Sequence, residues 1–187
     1  LFVRTYRVGE LLGFYYDQGR DAKVIWDLWH SGKFFLIGPT TGIEGIFRGP
    51  WYYWLITPAY IFGNGDPVWP AVFLALLCVV ALAWAYILAK QIAGWRSGII
   101  ALVLSGLSFN LVMSSRWLSN PTPMLLISMF LVQSVMWILK SKQFGWLAMG
   151  ISLGMAMQFG SAGEVFYFVL VPVLLIHLRK HLSWKWL

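Results

Sequence analysis

The sequence predicts an all-α, polytopic membrane protein with about five transmembrane helices and an extracytoplasmic loop that carries two amphipathic helices. Three observations support this fold class. Hydrophobic residues make up 59% of the chain and charged residues only 11%, against about 25% charged residues in a typical soluble domain. Long uncharged runs follow one another from residue 69 onward. Finally, every acidic residue except Glu164 lies before residue 69.

The first predicted element is an amphipathic helix that opens near Tyr16. Asp17 can serve as its N-cap, and Gly32 ends it as a C′ glycine. Its apolar stripe has the spacing of one helix face and consists of Ala22, Ile25, Trp26 and Trp29.

Two carboxylates on this helix are the candidate catalytic groups. Asp17 and Asp21 are four residues apart and share a helix face, so both could reach one site. Arg20 lies beside them and could bind a phosphate or pair with an aspartate. The alternative is a capped interfacial helix whose salt bridge lies in solvent and has no catalytic role.

A second predicted helix follows a turn-rich loop at 38–42 and begins at Pro50. The aromatic residues at 51–54 follow this proline directly. Because Trp and Tyr favour the membrane–water interface, the helix is predicted to lie near the lipid headgroups. A sugar-stacking platform is the alternative for these aromatics. A tight turn at 63–67 then leads into the first span.

The transmembrane part is predicted from apolar runs bounded by charges or turns. A hydrocarbon core about 30 Å thick needs about 20 apolar helical residues. The prolines of the third span are placed in its first turn, where a missing N–H costs little. The last two spans could instead be re-entrant or interfacial segments. The predicted spans are 69–89, 97–113, 121–139, 144–158 and 163–178.

Basic residues at the span ends predict the orientation. The basic residues at one set of span ends are expected to face the cytoplasm. The short loops at the opposite ends contain only two charged residues, Arg116 and Glu164. Residues 1–68 are therefore predicted to be an outer loop, periplasmic in a bacterial inner membrane or extracellular, and 69–187 a helix bundle. The net charge of +7 follows from this topology, so no nucleic-acid partner is expected. The cytoplasmic set is Lys90, Arg96, Lys140, Lys142, Arg179, Lys180 and Lys185.

Polar residues at the outer ends of later spans are further candidates for the site. Arg116 and Asn120 lie between spans two and three, and Gln158 and Glu164 between spans four and five. Polar groups at this depth are costly unless they have partners, so they often have a function. The alternative for Arg116 is that its side chain extends to lipid headgroups.

Several short motifs occur in an order that resembles a known family. They are Asp-x-x-Arg-Asp-Ala from Asp17, a Gly-Pro turn at 38–39, Phe-x-Gly-Pro-x-Tyr-Tyr from Phe47, Gly-Asp-Pro from Gly65, and Ser-Arg-Trp-x-x-Asn-Pro from Ser115. This order resembles the N-terminal half of GT-C superfamily membrane glycosyltransferases. Within that superfamily, the chain is most similar to the dolichyl-phosphate-mannose protein mannosyltransferase and aminoarabinose transferase types. The resemblance covers roughly 16–164.

The resemblance implies that a sugar is moved from a polyprenyl-phosphate donor to an acceptor of unknown class, which could be a lipid, a glycan or a protein. Relatives carry an essential aspartate in the first outer loop, and position matching places it at Asp17. Many relatives have Asp-Glu here, whereas this chain has Gln18, with a second carboxylate at Asp21. Either Asp17 or Asp21 could therefore be the residue that acts.

The expected chemistry needs a base and a cation. A carboxylate can take the proton of the acceptor hydroxyl, and cations stabilise the departing phosphate. Asp17 is the expected base, with Asp21 as support or alternate. Arg116 is the expected phosphate-binding residue, with Arg20 and Arg48 behind it. Substrate or lipid contacts are expected at Trp51, Tyr52, Tyr53, Asn120, Gln158 and Glu164.

Three further expectations complete the sequence interpretation. Parts of the superfamily use a divalent metal, but no His/Asp/Glu cluster here demands one, so no cofactor is assigned. The alternative function is a non-enzymatic membrane protein, such as a transporter half or a scaffold subunit, although no acidic residue lies at the middle of a span. Because the chain starts at Leu1, without a methionine, we expect it to be a fragment of a longer protein.

Overall fold

The computed structural model describes residues 1–40, 45, 47–159 and 165–181 of the chain. These residues form helices joined by short connections, and one isolated antiparallel bridge pairs Thr40 with Phe47. The helices are α1 (Phe2–Thr5), α2 (Val8–Leu11), α3 (Tyr16–Ser31), α4 (Trp51–Phe62), α5 (Val68–Ala93), α6 (Trp95–Leu107), α7 (Phe109–Ser115), α8 (Met124–Leu139), α9 (Phe144–Phe159) and α10 (Val165–Leu178), and the last is followed by a 3-10 turn at Arg179–His181.

The two helices predicted in the first 68 residues are both present, as α3 and α4. The start of α3 differs from the prediction, because Tyr15 and not Asp17 is the N-cap residue. The side-chain oxygen of Gln18 accepts a hydrogen bond from the Tyr15 backbone N–H at 3.0 Å, and this contact fixes the helix start upstream of Asp17. The other end follows the prediction, since Gly32 has a left-handed conformation with φ of 64°.

The predicted spans differ in how fully the structure supports them. Helix α5 is long and apolar enough to cross a membrane. The predicted span 97–113 is not one straight helix, because α6 and α7 are bent by 64° around Ser108 and reach spanning length only together. Helices α8 and α9 are apolar but have 16 residues each, which is fewer than the roughly 20 that a straight span needs. Five complete spans therefore remain a prediction.

The break between α6 and α7 has a local cause. The Ser108 hydroxyl accepts a hydrogen bond from the Leu111 N–H and so caps α7. The buried Arg4 guanidinium donates to the carbonyls of Ser105 and Gly106 at 3.4 and 3.3 Å. These carbonyls lie in the last turn of α6, where no intrahelical donor is available. The start of α8 also differs from prediction, since Pro121 and Pro123 precede the helix and do not lie in its first turn.

Helix α5 is the centre of the packing. It packs against α4, α6 and α8, and α8 packs against α9. The main core joins Tyr52 and Ile56 of α4 with Ala71 and Leu74 of α5. Ile25 of α3 belongs to the same cluster, so this core also holds α3 against α4.

Candidate active site

Asp17, Arg20 and Asp21 form one connected cluster in the first two turns of α3. Arg20 Nη1 donates to Asp17 Oδ1 at 2.9 Å, while Nε and Nη2 donate to Asp21 Oδ1 at 2.9 and 2.8 Å. The two carboxylates differ in accessibility: the Asp17 side chain is 69% exposed and that of Asp21 only 7%. Asp17 is therefore the carboxylate that an incoming molecule can reach, whereas the buried Asp21 holds Arg20 in place.

Asp21 is also held by α4. Tyr53 Oη donates to Asp21 Oδ1 at 3.0 Å in the buried interior. Burial raises the pKa of Asp21, and the hydrogen bond and positive charge of Arg20 oppose this rise without cancelling it. Burial also lowers the pKa of the Arg20 guanidinium, but the hydrogen bond and charge of Asp21 outweigh it and leave that pKa raised.

Arg20 is occupied by protein partners. Its Nη1 also donates to Thr40 Oγ1 at 3.0 Å, so each guanidinium nitrogen is bonded to the protein. Binding of a phosphate by Arg20 would require it to leave some of these partners. In this structure Arg20 instead links the two aspartates to the loop that follows α3.

Gln18 connects α3 to the far part of the chain. Its side chain is buried, and Nε2 donates to the Leu118 carbonyl oxygen at 3.1 Å. An ionised glutamate could not make this bond, because a carboxylate only accepts hydrogen bonds. The glutamine at this position therefore fits a structural role between α3 and the loop after α7.

Arg116 lies in that same loop, beside a cavity. Its Nη1 and Nη2 donate to the carbonyls of Val3 and Tyr6 at 2.9 and 2.8 Å. The cavity has a volume of about 780 Å³, and Tyr15, next to the start of α3, also lines it. Apart from Arg116, the walls are mainly apolar and include Phe2, Leu11, Phe109, Val112, Met113 and Trp117.

The remaining loop residues divide into exposed and buried groups. The backbone N–H of Arg48 donates to the Pro39 carbonyl, and the Arg48 carbonyl accepts from the Gly38 N–H, each at 2.9 Å. Trp51 is half exposed, whereas Tyr52 and Tyr53 are buried in the core. Of the three aromatic residues expected to contact a substrate, Trp51 is thus the one at the surface.

Asn120 and Gln158 are brought together around the end of α9. Asn120 Nδ2 donates to the Phe159 carbonyl at 3.2 Å, and the Gln158 amide lies so close to Gly49 that a Cβ there would overlap it. Within the described ranges, the buried oxygens Asn120 Oδ1 and Gln158 Oε1 have no hydrogen-bond partner. Glu164 lies outside the described residues.

The sequence comparison identifies the family. The sequence model of the dolichyl-phosphate-mannose-protein mannosyltransferase family matches residues 47–187. The chain belongs to this family. The match confirms the resemblance seen in the motifs and makes the chain a mannosyltransferase-like glycosyltransferase of a membrane family. No curated protein and no solved structure matches the chain.

The mannosyltransferase match includes some candidate residues and leaves others outside. Arg48, Trp51, Arg116 and Asn120 lie within it, whereas Asp17 and the rest of α3 precede it. The aspartates are joined to the matched region by contacts, since Tyr53 bonds Asp21 and the Leu118 carbonyl bonds Gln18. Their assignment therefore rests on this geometry and on the Asp-x-x-Arg-Asp-Ala segment.

Sequence reasoning missed two connections of this candidate site. Tyr53 was expected to contact a substrate, but its hydroxyl bonds a carboxylate, and Gln18 was treated only as a departure from the family pattern. The signal for Gln18 was an amide where the resemblance implies an acid, because an amide can donate a hydrogen bond and a carboxylate cannot. Among the described residues, no group of three His, Cys, Asp or Glu side chains could hold a metal ion.

Proposed function

We propose that this chain transfers a sugar from a polyprenyl-phosphate donor to an acceptor hydroxyl on the extracytoplasmic face of the membrane. The observation that carries this proposal is the accessible carboxylate of Asp17, held by Arg20 on a helix that Gln18 ties to the Arg116 loop. A family of mannosyltransferases provides the reaction class.

Asp17 is the proposed general base. One of its oxygens is bonded to Arg20, and within the described residues the other accepts no protein hydrogen bond. That oxygen can take the proton of an acceptor hydroxyl. The acceptor oxygen then bonds to the anomeric carbon of the sugar, the bond from that carbon to the phosphate oxygen breaks, and the lipid phosphate leaves as an anion.

Arg116 is the proposed ligand of the departing phosphate. A guanidinium has five N–H donors, and two described hydrogen bonds, to Val3 and Tyr6, leave further donors for a phosphate. The apolar cavity beside Arg116 fits an isoprenoid chain better than a sugar, because a chain has no polar groups that the walls would leave unpaired. A cation placed where charge develops lowers the barrier to phosphate departure.

Sugar transfer in membranes that contain the full-length protein tests this proposal. Labelled polyprenyl-phosphate sugars are supplied to wild type, Asp17→Asn, Asp21→Asn and Arg116→Ala, and membrane insertion is measured for each. Asp27→Asn is the matched control, because Asp27 lies on the same helix and pairs with Lys23 away from the cluster.

Loss of transfer in Asp17→Asn, with transfer retained in Asp27→Asn, is the expected result. Asp21→Asn should keep partial activity, because all three described hydrogen bonds to Asp21 end on Oδ1, which asparagine retains. If Asp21→Asn is inactive and Asp17→Asn active, the base is Asp21. Transfer that survives both substitutions contradicts the mechanism.

A further inference from the structure

Tyr53 is the residue through which α4 reaches the aspartate cluster. Its side chain is buried in the core, and its hydroxyl donates to Asp21 Oδ1 at 3.0 Å. The ring is held by its neighbours, because Phe35 meets it edge-on with ring centroids 5.3 Å apart. The hydroxyl therefore has a fixed position, and it supplies Asp21 with a hydrogen-bond donor from a different helix.

Asp21 transmits this contact to Arg20. Arg20 Nε and Nη2 donate to the same carboxylate oxygen, Oδ1, at 2.9 and 2.8 Å. Two nitrogens of one rigid, planar group that share an acceptor fix the orientation of the guanidinium. Arg20 and Asp21 are neighbours on α3, so their pairing alone does not tie them to the rest of the protein. The Tyr53 hydroxyl connects this pair to α4 and fixes the oxygen that the guanidinium contacts.

Asp17 is bonded to the other end of the same guanidinium. Arg20 Nη1 donates to Asp17 Oδ1 at 2.9 Å. The helix backbone fixes the Cα of Asp17, but the Asp17 side chain is 69% exposed, and an exposed ion pair by itself does little to hold a side chain. The orientation of the Asp17 carboxylate therefore depends on a guanidinium that is held from its buried side.

We infer that Tyr53 is a positioning residue for the proposed base. Through Asp21 and Arg20, it orients the Asp17 carboxylate toward the acceptor hydroxyl. Without the phenolic hydroxyl, the buried Asp21 carboxylate lacks one donor, and it competes with Asp17 for the N–H groups of Arg20. Tyr53 touches no substrate in this role. The inference rests on the proposed function, in which Asp17 takes the acceptor proton.

Transfer kinetics of Tyr53→Phe, in membranes that contain the full-length protein, test this inference. The substitution removes one oxygen atom and keeps the ring beside Phe35. The kcat, expressed per inserted molecule, should fall about tenfold or more, because a small displacement of a catalytic group costs a large factor in rate. The KM for the labelled polyprenyl-phosphate sugar should stay within about twofold of the wild-type value, since Tyr53 does not line the Arg116 cavity.

Tyr60→Phe is the matched control. Tyr53 and Tyr60 lie on the same helix, and both are 2% exposed. The Tyr60 hydroxyl has no hydrogen-bond partner among the described residues. The control therefore removes the same atom at a similar depth without breaking a bond to the aspartate cluster, and its kcat should equal that of wild type. A general effect of losing a buried hydroxyl would lower kcat in both variants.

Arg20→Lys tests whether the effect passes through Arg20. Lysine keeps the positive charge but lacks the planar fork that bonds both aspartates, so kcat should again fall about tenfold. The double variant Tyr53→Phe/Arg20→Lys should lie within about twofold of the slower single variant, because both changes break the same path. Independent effects would instead multiply to a loss of about a hundredfold.

Three results would overturn the inference. They are a kcat of Tyr53→Phe equal to that of Tyr60→Phe, losses that multiply in the double variant, and a loss confined to KM, which would make Tyr53 a substrate contact. If Tyr53→Phe does not insert, a wild-type kcat in Arg20→Lys overturns the inference, because the path passes through Arg20. Failure of the proposed function gives a different result, namely Asp17→Asn that transfers sugar like wild type.

Discussion

At the residue scale, Asp17 and Asp21 of α3 have opposite relationships to solvent, since Asp17 is exposed and Asp21 is buried. Asp21 gives the protein a testable pH dependence. Burial raises the pKa of Asp21 in the folded protein. The folded state therefore binds the proton of the Asp21 carboxyl more tightly than the unfolded chain does, because the pKa of an unfolded aspartate is about 3.9. The resulting stabilisation is present below that value and is lost as the pH rises through the folded pKa.

We expect the thermal midpoint of wild type to decrease, relative to that of Asp21→Asn, as the pH rises from about 4. Asp27 is the control, because its contribution to stability should have the opposite pH dependence. Its hydrogen bond with Lys23 lowers its pKa, so its contribution is present above the unfolded value and is lost as the pH falls through the folded one. Thermal midpoints of wild type, Asp21→Asn and Asp27→Asn are measured from about pH 3 to about pH 7. They check the direction of both pH dependences. Parallel curves for wild type and Asp21→Asn would contradict the burial argument.

Gln18 provides a second prediction at the same scale. Gln18→Glu replaces the buried donor to the Leu118 carbonyl by an acceptor, which should lower the free energy of unfolding by about 1 to 3 kcal/mol at neutral pH. Protonation of the new carboxyl restores a donor, so the loss should shrink as the pH falls. Chemical denaturation at neutral and acidic pH measures both effects, and a loss independent of pH would indicate a packing defect.

These residue contacts also show where sequence prediction reaches its limit. Apolar spacing predicted α3, because it reports which face of a helix is buried, and the proline at position 50 predicted the start of α4. Apolar spacing does not show which distant residues a side chain will contact. Gln18 contacts a carbonyl 100 residues away, and Tyr53 bonds a carboxylate on another helix. Asp17 and Asp21 could be paired from their i, i+4 spacing, but their different burial depends on how α4 covers Asp21.

At the scale of elements, the bend between α6 and α7 was missing from the predicted span 97–113. Hydropathy averages over the bend, since the residues on both sides are apolar. The segment 105–110, Ser-Gly-Leu-Ser-Phe-Asn, contains the Gly/Ser combination at which helices commonly kink. What hydropathy cannot show is the buried Arg4 that bonds the carbonyls of Ser105 and Gly106.

Arg4→Met tests whether this arginine supports the bend. Two partly buried carbonyls would lose their described donors, so the free energy of unfolding should fall by about 1 to 3 kcal/mol. Arg7→Met is the matched control, because Arg7 is exposed and pairs with Glu10 on the surface, where such a pair contributes about 0 to 1 kcal/mol. Equal losses in the two variants would show that Arg4 has no special role at the bend.

At the scale of the whole molecule, the two ends of the bundle differ in chemistry. Helix α3 and the loop after α7 meet at one end, where Gln18 bonds the Leu118 carbonyl. At the other end, Lys140 Nζ donates to Gln91 Oε1 at 3.4 Å, and Gln143 bonds the His181 carbonyl. Half of the 14 basic residues lie in the segments 90–96, 140–142 and 179–185, which contain no acidic residue, so the net positive charge is concentrated away from the candidate site. Because basic ends tend to face the cytoplasm, we expect the aspartate cluster to face outward.

Cysteine labelling in intact cells tests this orientation. Cys78 is the only cysteine and is buried, so Cys78→Ala provides the background. Asn64→Cys, in the turn between α4 and α5, should react with a membrane-impermeant maleimide in intact cells. Ser141→Cys, between α8 and α9, should react only after permeabilisation. The reverse pattern would place Asp17 on the cytoplasmic side. It would contradict transfer on the outer face and leave the family assignment intact, because the match to the mannosyltransferase family does not depend on orientation.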